Sequence, residues 1–453
     1  MAKRHLLMLG LLLGGGALSS AACSDTKIVT IGDGDAGEAG DTGSHAGSGN
    51  AGSGHAGAGN GGSGGDAGFA DLGGASGEGG AGGEGDEPPY DFPSSLNPQA
   101  VVVVGPEPST STTLLVAGTD YKTTEIVSVT IGSGAIGDSA TYGGDTVATS
   151  SAGVGFAIER GSDKVHLLNG GKISATFDLK DLGTDKTVLD QKAYVPVLNQ
   201  SLIVVLDLAE GKVSHRIDLN AYNAPADSDH SADIADGVYD PNSKIAYFLL
   251  QRIDINSIFA DPKYQLHCPA YRGLIVGIDT KTDEVVDLNG DAEGNAIELE
   301  LVNPGSLSIN ADGSALYLLA NGCFDGDTKI HQGVEVIDPT AGTTTVAYAA
   351  TGNDYLSRLI RTNSVGDALL ESSDDLGVTH WHKLDLAAGT LGAELANVPK
   401  APSFDGTDLL GVEVTGKVGK VVRYKVATAT STPISATSWA GEYGTTSSTA
   451  LVQ

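Results

Sequence analysis

The chain has 453 residues, with 26 Lys or Arg against 57 Asp or Glu, so its formal net charge is −31. This charge repels phosphate backbones and anionic lipid headgroups, which excludes nucleic acid as a partner. Glycine, at 64 residues, has about twice its usual share, and most of the excess lies before residue 90. The part of the chain that can bury a core is therefore about 360 residues long.

Residues 1–22 have the pattern of an export signal. Lys3 and Arg4 begin it, an apolar stretch covers 6–18, and small residues fill 19–22. The pattern resembles a bacterial lipoprotein signal, in which the next residue, here Cys23, becomes lipidated. Ser20 departs from that family's preference for Leu, and an ordinary secretory signal is the alternative. The apolar stretch of about 13 residues is too short to span a membrane. The expected location is extracytoplasmic, in a bacterial outer membrane or at the cell surface.

Residues 23–95 follow as a low-complexity segment rich in Gly, Ala, Ser and Asp. Such a segment has too few apolar side chains to offset the entropy lost on ordering. We predict a disordered linker that carries the lipidated Cys23 at its start and leads to a folded domain over 96–453.

One phrase then recurs along the chain: a short apolar strand, a tight turn that begins with Asp, and a new strand. In its clearest copy, 203–213, Asp207 is positioned to accept backbone N–H groups of the turn, and Gly211 supplies a residue suited to positive φ. Seven copies are spaced by about 40 residues. Those at 203–213, 274–285, 334–342 and 382–391 carry the Asp, and weaker copies without it lie at 126–134, 165–173 and 421–430.

The unit around 303–348 shows how each copy is built. Strands are predicted at 303–309, 315–320, 333–338 and 344–348, with a turn at 310–314. Four consecutive antiparallel strands make one blade, and the preceding unit matches it turn for turn. A period of 20 to 50 residues with several strands per unit is typical of β-propellers.

Two motifs of this unit resemble a known family. The turn Asn310-Ala311-Asp312-Gly313 and the later Val334-Glu335-Val336-Ile337-Asp338 resemble the YVTN-type seven-bladed β-propellers, relatives of quinoprotein amine dehydrogenase and surface-layer propellers. The resemblance implies an all-β fold over 96–453, a single seven-bladed propeller of four-stranded antiparallel blades. The first, second and seventh copies are degenerate, so six or eight blades are alternatives to seven. A double β-sandwich is the alternative fold, and it explains the recurring phrase less well. This fold hosts many functions and indicates none.

Two blades carry insertions between their second and third strands. These are 251–272 in blade four, with Cys268, and 321–332 in blade five, with Cys323. Equivalent loops of neighbouring blades emerge on the same face, and an exported compartment permits oxidation. We predict a Cys268–Cys323 disulfide; two buried free thiols are the alternative.

The densest polar cluster lies in the connection that leads into blade four. Asp227, Asp229, His230, Asp233 and Asp236 fall within ten residues. Carboxylate oxygens are the ligands that a divalent cation such as Ca²⁺ prefers, so we predict a metal site at the mouth of the channel. The alternative is a solvated acidic loop.

Two further patterns suggest metal ligands but have simpler explanations. Residues 287–298 have the spacing of a calcium loop, yet Ala292 stands where the sharp turn needs Gly, which favours a plain connecting loop. His380 and His382 share one face of a strand, with Trp381 on the other. They either share a metal or pack between blades and against a backbone carbonyl.

Arg358 and Arg361 belong to the first strand of blade six, the strand nearest the axis. Either they bind an anionic ligand in the channel, or they pair with acidic residues such as Asp233 or Asp236.

These features favour a monomeric, lipid-anchored propeller that serves as a non-enzymatic binding or scaffold module for a protein, glycan or small ligand. The alternative is a periplasmic or surface hydrolase of the lactonase type, with a metal at the channel mouth. Convergence of Asp233, Asp236 and Arg358 on one pocket would favour the enzyme. Apart from a possible divalent cation, no cofactor is expected.

Overall fold

The structure of the protein is a computed structural model. It describes residues 96–106, 110–120, 122–160, 162–181, 189, 191–198, 200–225, 227–290, 295–362, 367–374, 377–415, 418–434 and 445–453. The signal peptide predicted at 1–22, the lipidation at Cys23 and the linker to residue 95 fall outside these residues.

Seven antiparallel sheets form the domain, and each is one blade of a propeller. The predicted all-β fold with seven four-stranded blades is confirmed.

Five blades consist of consecutive strands, which run in chain order from the inner to the outer edge of the blade. Blade two holds β5 (Asp145–Ser151), β6 (Val154–Arg160), β7 (Lys164–Asn169) and β8 (Lys172–Asp178). Blade four holds β12 (Ile234–Asp240), β13 (Ile245–Leu250), β14 (Leu274–Asp279) and β15 (Glu284–Val286), and a short β16 (Ile297–Glu298) also pairs with β14. Blade five holds β17 (Pro304–Ile309), β18 (Leu316–Asp325), β19 (Thr328–Asp338) and β20 (Thr343–Ala349). Blade six holds β21 (Tyr355–Arg361), β22 (Asp367–Ser373), β23 (Thr379–Asp385) and β24 (Thr390–Glu394). Blade seven holds β25 (Lys400–Phe404), β26 (Leu409–Thr415), β27 (Val418–Lys425) and β28 (Thr430–Pro433).

The other two blades take their inner strand from a distant part of the chain. Blade one consists of β29 (Thr445–Val452), β2 (Thr113–Thr119), β3 (Thr123–Thr130) and β4 (Ile136–Gly143), so the last strand closes the ring. Blade three consists of β1 (Val102–Val103), β9 (Lys192–Val197), β10 (Leu202–Asp207) and β11 (Lys212–Asp218). The expectation that four consecutive strands make every blade is therefore wrong for these two.

The recurring phrase forms the hairpin between the third and fourth strands of a blade. Asp207 accepts hydrogen bonds from the backbone N–H groups of Ala209 (3.0 Å) and Glu210 (2.9 Å), and Gly211 has φ of +66°. Asp338 does the same in blade five for Thr340 and Ala341, both at 2.9 Å. The sequence prediction for these turns is confirmed, because a side-chain acceptor satisfies turn N–H groups that the ladder leaves unpaired.

The apolar core lies between neighbouring blades. Between blades two and three, for example, Phe156 and Ile158 pack against Val195 and Val204, and all four are fully buried. Each blade is buried on both faces and packs on its two neighbours, which explains why the strands have continuous apolar runs.

We use the term cap end for the end of the ring where the second strand of each blade connects to the third. At this end the blade-four insertion, residues 251–273, contains the short helix α1 (Ile255–Ala260). The predicted loop at 321–332 is instead a hairpin, because β18 and β19 extend beyond the blade and turn at Gly326. Among the residues described, no helix is long and apolar enough to cross a membrane.

Candidate functional site at the cap end

The blade-four insertion is packed onto the ring by a small apolar core of its own. Ile253, Ile255 and Ile258 of the insertion are buried against Leu198 and Val302 of neighbouring connections. Asp254 caps α1, because its side chain accepts a hydrogen bond from Ser257 N at 3.2 Å. The sequence carries a signal for this helix, an Asp followed by apolar residues at helical spacing, which the prediction of a plain insertion overlooked.

A disulfide between Cys268 and Cys323 joins this insertion to the β18–β19 hairpin, as predicted. The two Cα atoms lie 4.8 Å apart. Backbone hydrogen bonds run beside the bridge, from Phe324 N to Leu266 O (2.8 Å) and from Cys268 N to Phe324 O (3.3 Å). The insertion is thus fixed covalently to blade five.

Removal of this disulfide is expected to destabilise the domain. The bridge closes a loop of 55 residues, for which the chain-entropy model gives about 4 kcal/mol. The double variant Cys268→Ala/Cys323→Ala should lose about that much in urea unfolding, and the wild type with a reductant should behave alike. Thiol labelling checks that the reductant has opened the bridge in the wild type. If both cysteines are labelled and the urea midpoint equals that of the oxidised wild type, this expectation is wrong.

Three carboxylates of the connection into blade four converge beside the insertion. Asp227, Asp229 and Asp233, which we call the acidic triad, each offer an oxygen within 4.8 Å of the others. Asp229 Oδ2 accepts a hydrogen bond from Ile255 N (2.8 Å), and Asp233 Oδ2 accepts one from Ile253 N (3.1 Å). The triad therefore holds the chain on both sides of the residue that caps α1.

Two oxygens of the triad accept no hydrogen bond from a donor group of the described residues, although the Asp227 and Asp229 side chains lie close enough to share a proton. The two oxygens are Asp227 Oδ2 and Asp233 Oδ1, on side chains of residues that are 2% and 0% exposed. Burial raises the pKa of Asp227 to about 8, with a further contribution from the Asp229 carboxylate. Burial also raises the pKa of Asp233 well above its ordinary value, and the neighbouring carboxylates add to the rise. The site strongly opposes three uncompensated negative charges.

The other two residues predicted as ligands lie elsewhere. His230 is exposed, and with Arg216 it lines a surface cleft of about 380 Å³. Asp236 accepts hydrogen bonds from Gly237 N (2.8 Å) and from Leu307 N (2.9 Å) of blade five, and burial raises its pKa to about 6. Both of its oxygens are used within the protein, so it acts as a tie between blades.

The two arginines of blade six contact neither Asp233 nor Asp236 in the described structure. Arg358 Nη1 donates to Pro402 O of blade seven at 2.9 Å, and its Nε lies 3.8 Å from Glu371. The guanidinium of Arg361 stacks on Tyr317, 3.4 Å from the ring centroid. Both side chains make contacts between blades.

The His380 and His382 rings are engaged separately. His380 Nδ1 lies 3.0 Å from Glu394 Oε1, and this hydrogen bond raises the pKa of the imidazole. His382 Nδ1 lies 3.2 Å from the backbone oxygen of Gly392. The loop at 287–298 connects β15 to β16, and part of it, 291–294, is outside the described residues. Within the described part of the chain, the acidic triad is the one set of three metal-ligating side chains that converge.

Comparisons with known proteins find similarity to solved structures only. No protein-family model matches the chain, and no curated protein matches it. Solved structures do. Hydrazine synthase of Kuenenia stuttgartiensis is 12% identical with a TM-score of 0.46, over 78% of this chain and 98% of that one. The periplasmic gluconolactonase PpgL of Pseudomonas aeruginosa is 13% identical with a TM-score of 0.45, over 75% of this chain and 99% of that one. The β-propeller domain of Myceliophteria thermophila Cps50 (Swd1) is 11% identical with a TM-score of 0.45, over 77% of this chain and 98% of that one.

At such identities these structures indicate nothing about the activity of this chain. The assignment of seven blades rests on the strand pairing described above.

Proposed function

We propose that the protein is a lipid-anchored, extracytoplasmic β-propeller that acts as a non-enzymatic binding or scaffold module, with the cap end as its binding surface. The observation that carries this proposal is that the elaborations of blades four and five, within the described residues, cluster at one end of the ring. The blade-four insertion, the extended hairpin of blade five and the disulfide between them lie there.

The chain also enters the ring at the cap end. Pro98 bridges to Val197, the last residue of β9, and Leu198 N donates to Asn97 O at 3.0 Å. Residue 198 begins the connection between the second and third strands of blade three, which defines the cap end. A lipid at Cys23 and the linker that follows would therefore attach at the elaborated end of the domain.

The groups expected to form an enzymatic site in the channel are used in separate contacts within the protein. Arg358 bonds to Pro402, Asp236 bonds to Leu307, and Asp233 bonds to Ile253 of the insertion. Because these three side chains serve three separate contacts, they do not make one pocket for acid–base chemistry. This arrangement favours the binding module over the lactonase-type hydrolase.

Photo-cross-linking in cells of the native bacterium tests the proposal. A benzoylphenylalanine replaces Ala270, exposed on the blade-four insertion, or Ala311, exposed in a turn at the opposite end. We expect discrete protein or glycan adducts from position 270 and none from position 311. A chain with an ordinary cleavable secretory signal in place of residues 1–23 should appear in the soluble fraction instead of the membrane and give fewer adducts.

Equal adducts from both positions, or none from either, would contradict the binding surface. Membrane retention of the chain with the secretory signal would contradict the anchor. Hydrolysis of a sugar lactone by the purified protein, lost in Asp233→Asn, would favour the enzyme instead.

A further inference from the structure

We propose that Asp227, Asp229 and Asp233 bind one Ca²⁺ ion, which fastens the blade-four insertion to the ring. The inference adds a ligand to the cap end of the proposed function, but its evidence is the triad alone. A failed calcium titration would leave the anchor and the binding surface untouched.

Two buried oxygens of the triad lack a donor or a counter-charge. Asp227 Oδ2 and Asp233 Oδ1 are enclosed by protein and accept no hydrogen bond from the described residues. Buried carboxylates are normally satisfied by donors or by a counter-charge, since their desolvation costs several kcal/mol otherwise. A cation between the three carboxylates satisfies both oxygens and offsets their mutual repulsion.

A nearby arginine does not provide this counter-charge by direct contact. Arg252 lies close enough to interact electrostatically with Asp227. However, its Nη1 donates to Arg272 O at 3.0 Å, and its guanidinium lies 5.6 Å from the ring centroid of Tyr271. The side chain is thus held against the insertion. It makes the region less negative, but it donates no hydrogen bond to the carboxylates of the triad among the contacts described.

The donor set selects the ion. All three side chains offer oxygen, the imidazole of His230 does not join them, and Cys268 and Cys323 are oxidised. Hard oxygen donors alone favour Ca²⁺ or Mg²⁺ over Zn²⁺ or Cu²⁺. The oxygens of the triad lie within 4.8 Å of one another, a span that one Ca²⁺ with ligands at about 2.4 Å can bridge. Ca²⁺ also accepts irregular carboxylate geometry, whereas Mg²⁺ demands a near-ideal octahedron, so we choose Ca²⁺ as the ion to test.

The hydrogen bonds of the triad explain what the ion would do. Asp229 and Asp233 accept the N–H groups of Ile255 and Ile253, so a cation that orders these carboxylates also orders the start of α1. Without it, the two buried oxygens stay unsatisfied, and the contact between the connection and the insertion is weaker. Calcium would therefore act on the same segment that the disulfide holds at its other end.

Isothermal titration with CaCl₂ tests the site, with the whole exported chain carrying Cys23→Ala so that it stays in solution. Three carboxylates resemble the weaker extracellular modules, so we expect one site with a Kd of about 10⁻⁴ M, and weaker binding of Mg²⁺. Millimolar Ca²⁺ should raise the Tm by several degrees and slow proteolysis within 251–273. Asp227→Asn and Asp233→Asn should each weaken binding at least tenfold and abolish the Ca²⁺-dependent shift in Tm.

These variants separate a lost site from a misfolded protein. Because Asn removes a repelling charge, each variant should have a Tm without Ca²⁺ that is equal to or above that of the parent. His230→Asn is the matched control, since Asn tolerates the positive φ of 57° at this position and His230 is outside the triad. It should bind Ca²⁺ like the parent. An absence of binding heat and of any Tm shift in the parent, or unchanged affinity in Asp233→Asn, would overturn the proposal, and equal affinity for Mg²⁺ would overturn the choice of ion.

Discussion

A chain that ends at Ile434 is expected to lose the folded ring. The truncation removes β29, which is the inner strand of blade one and pairs with β2 over its whole length. It also removes Ala450 and Val452 from the core shared with blade two, where they cover Leu115 and Ala157. Burial of each large side chain contributes about 1.5–3 kcal/mol, and the lost ladder exposes backbone groups of β2 in addition. Together these losses are comparable with the whole stability of a domain, about 5–15 kcal/mol.

The strand also ties blade one to both of its neighbours. Ala148 N of blade two donates to Ser448 Oγ at 2.7 Å, and Thr449 Oγ1 donates to Ala401 O of blade seven. Circular dichroism and gel filtration of the truncated chain should show an expanded, protease-sensitive protein. A chain lacking only Gln453 is the control, because it loses a single hydrogen bond to Gly153 and should fold normally. A cooperative thermal transition in the truncated chain, at the Tm of the control, would show that closure is dispensable.

The position of β29 also shows what the sequence predicted and what it left open. The recurring turn predicted seven hairpins, and four of its copies carry the capping Asp. Both the capping carboxylate and the positive-φ residue are local requirements, visible as Asp207 and Gly211. The partner of an isolated strand is not local. The apolar strand Val102–Val103 would suit the inner position of any blade. Its place in blade three depends on its pairing with β9, which lies about 90 residues later in the chain.

The same distinction applies to the acidic triad. Composition indicated a cluster of acidic groups within 227–236, but not which of them face one another. His230 and Asp233 both have positive φ, 57° and 49°, so the connection does not follow the regular alternation of a strand. Asp236, by contrast, lies in β12 and points its carboxylate to Leu307 of the next blade. The selection of three carboxylates from the cluster is a property of the folded loop.

Replacement of Asp283 by Gly is expected to lower the free energy of unfolding by about 3–5 kcal/mol. Asp283 lies in the outer turn of blade four and reaches into blade three, where its Oδ1 is 2.7 Å from Lys192 Nζ and accepts a hydrogen bond from Tyr194 OH. Its Oδ2 is 3.3 Å from His215 Nε2. Lys192 is 1% exposed, so the loss of the carboxylate leaves an ammonium group buried without its counter-charge.

The recurring phrase makes Gly the informative substitution. Asp283 has φ of +58°, at the turn position that Gly211, Gly342 and Gly389 occupy in other blades with φ of 64° to 66°. A left-handed conformation is unfavourable for Asp and free for Gly. Asp283→Gly therefore relaxes the backbone while it removes the carboxylate, and any destabilisation measured reports the lost ion pair rather than strain in the turn.

A second substitution separates the ion pair from general packing. Because a buried pair costs desolvation energy on both sides, removing both charges is much less harmful than removing one. Lys192→Met/Asp283→Gly should therefore recover most of the stability lost in Asp283→Gly, and urea unfolding of the four members of the cycle gives the coupling energy. A single variant within about 1 kcal/mol of the wild type, or a double variant no more stable than Asp283→Gly, would mean that Asp283 does not join blades three and four through its charge.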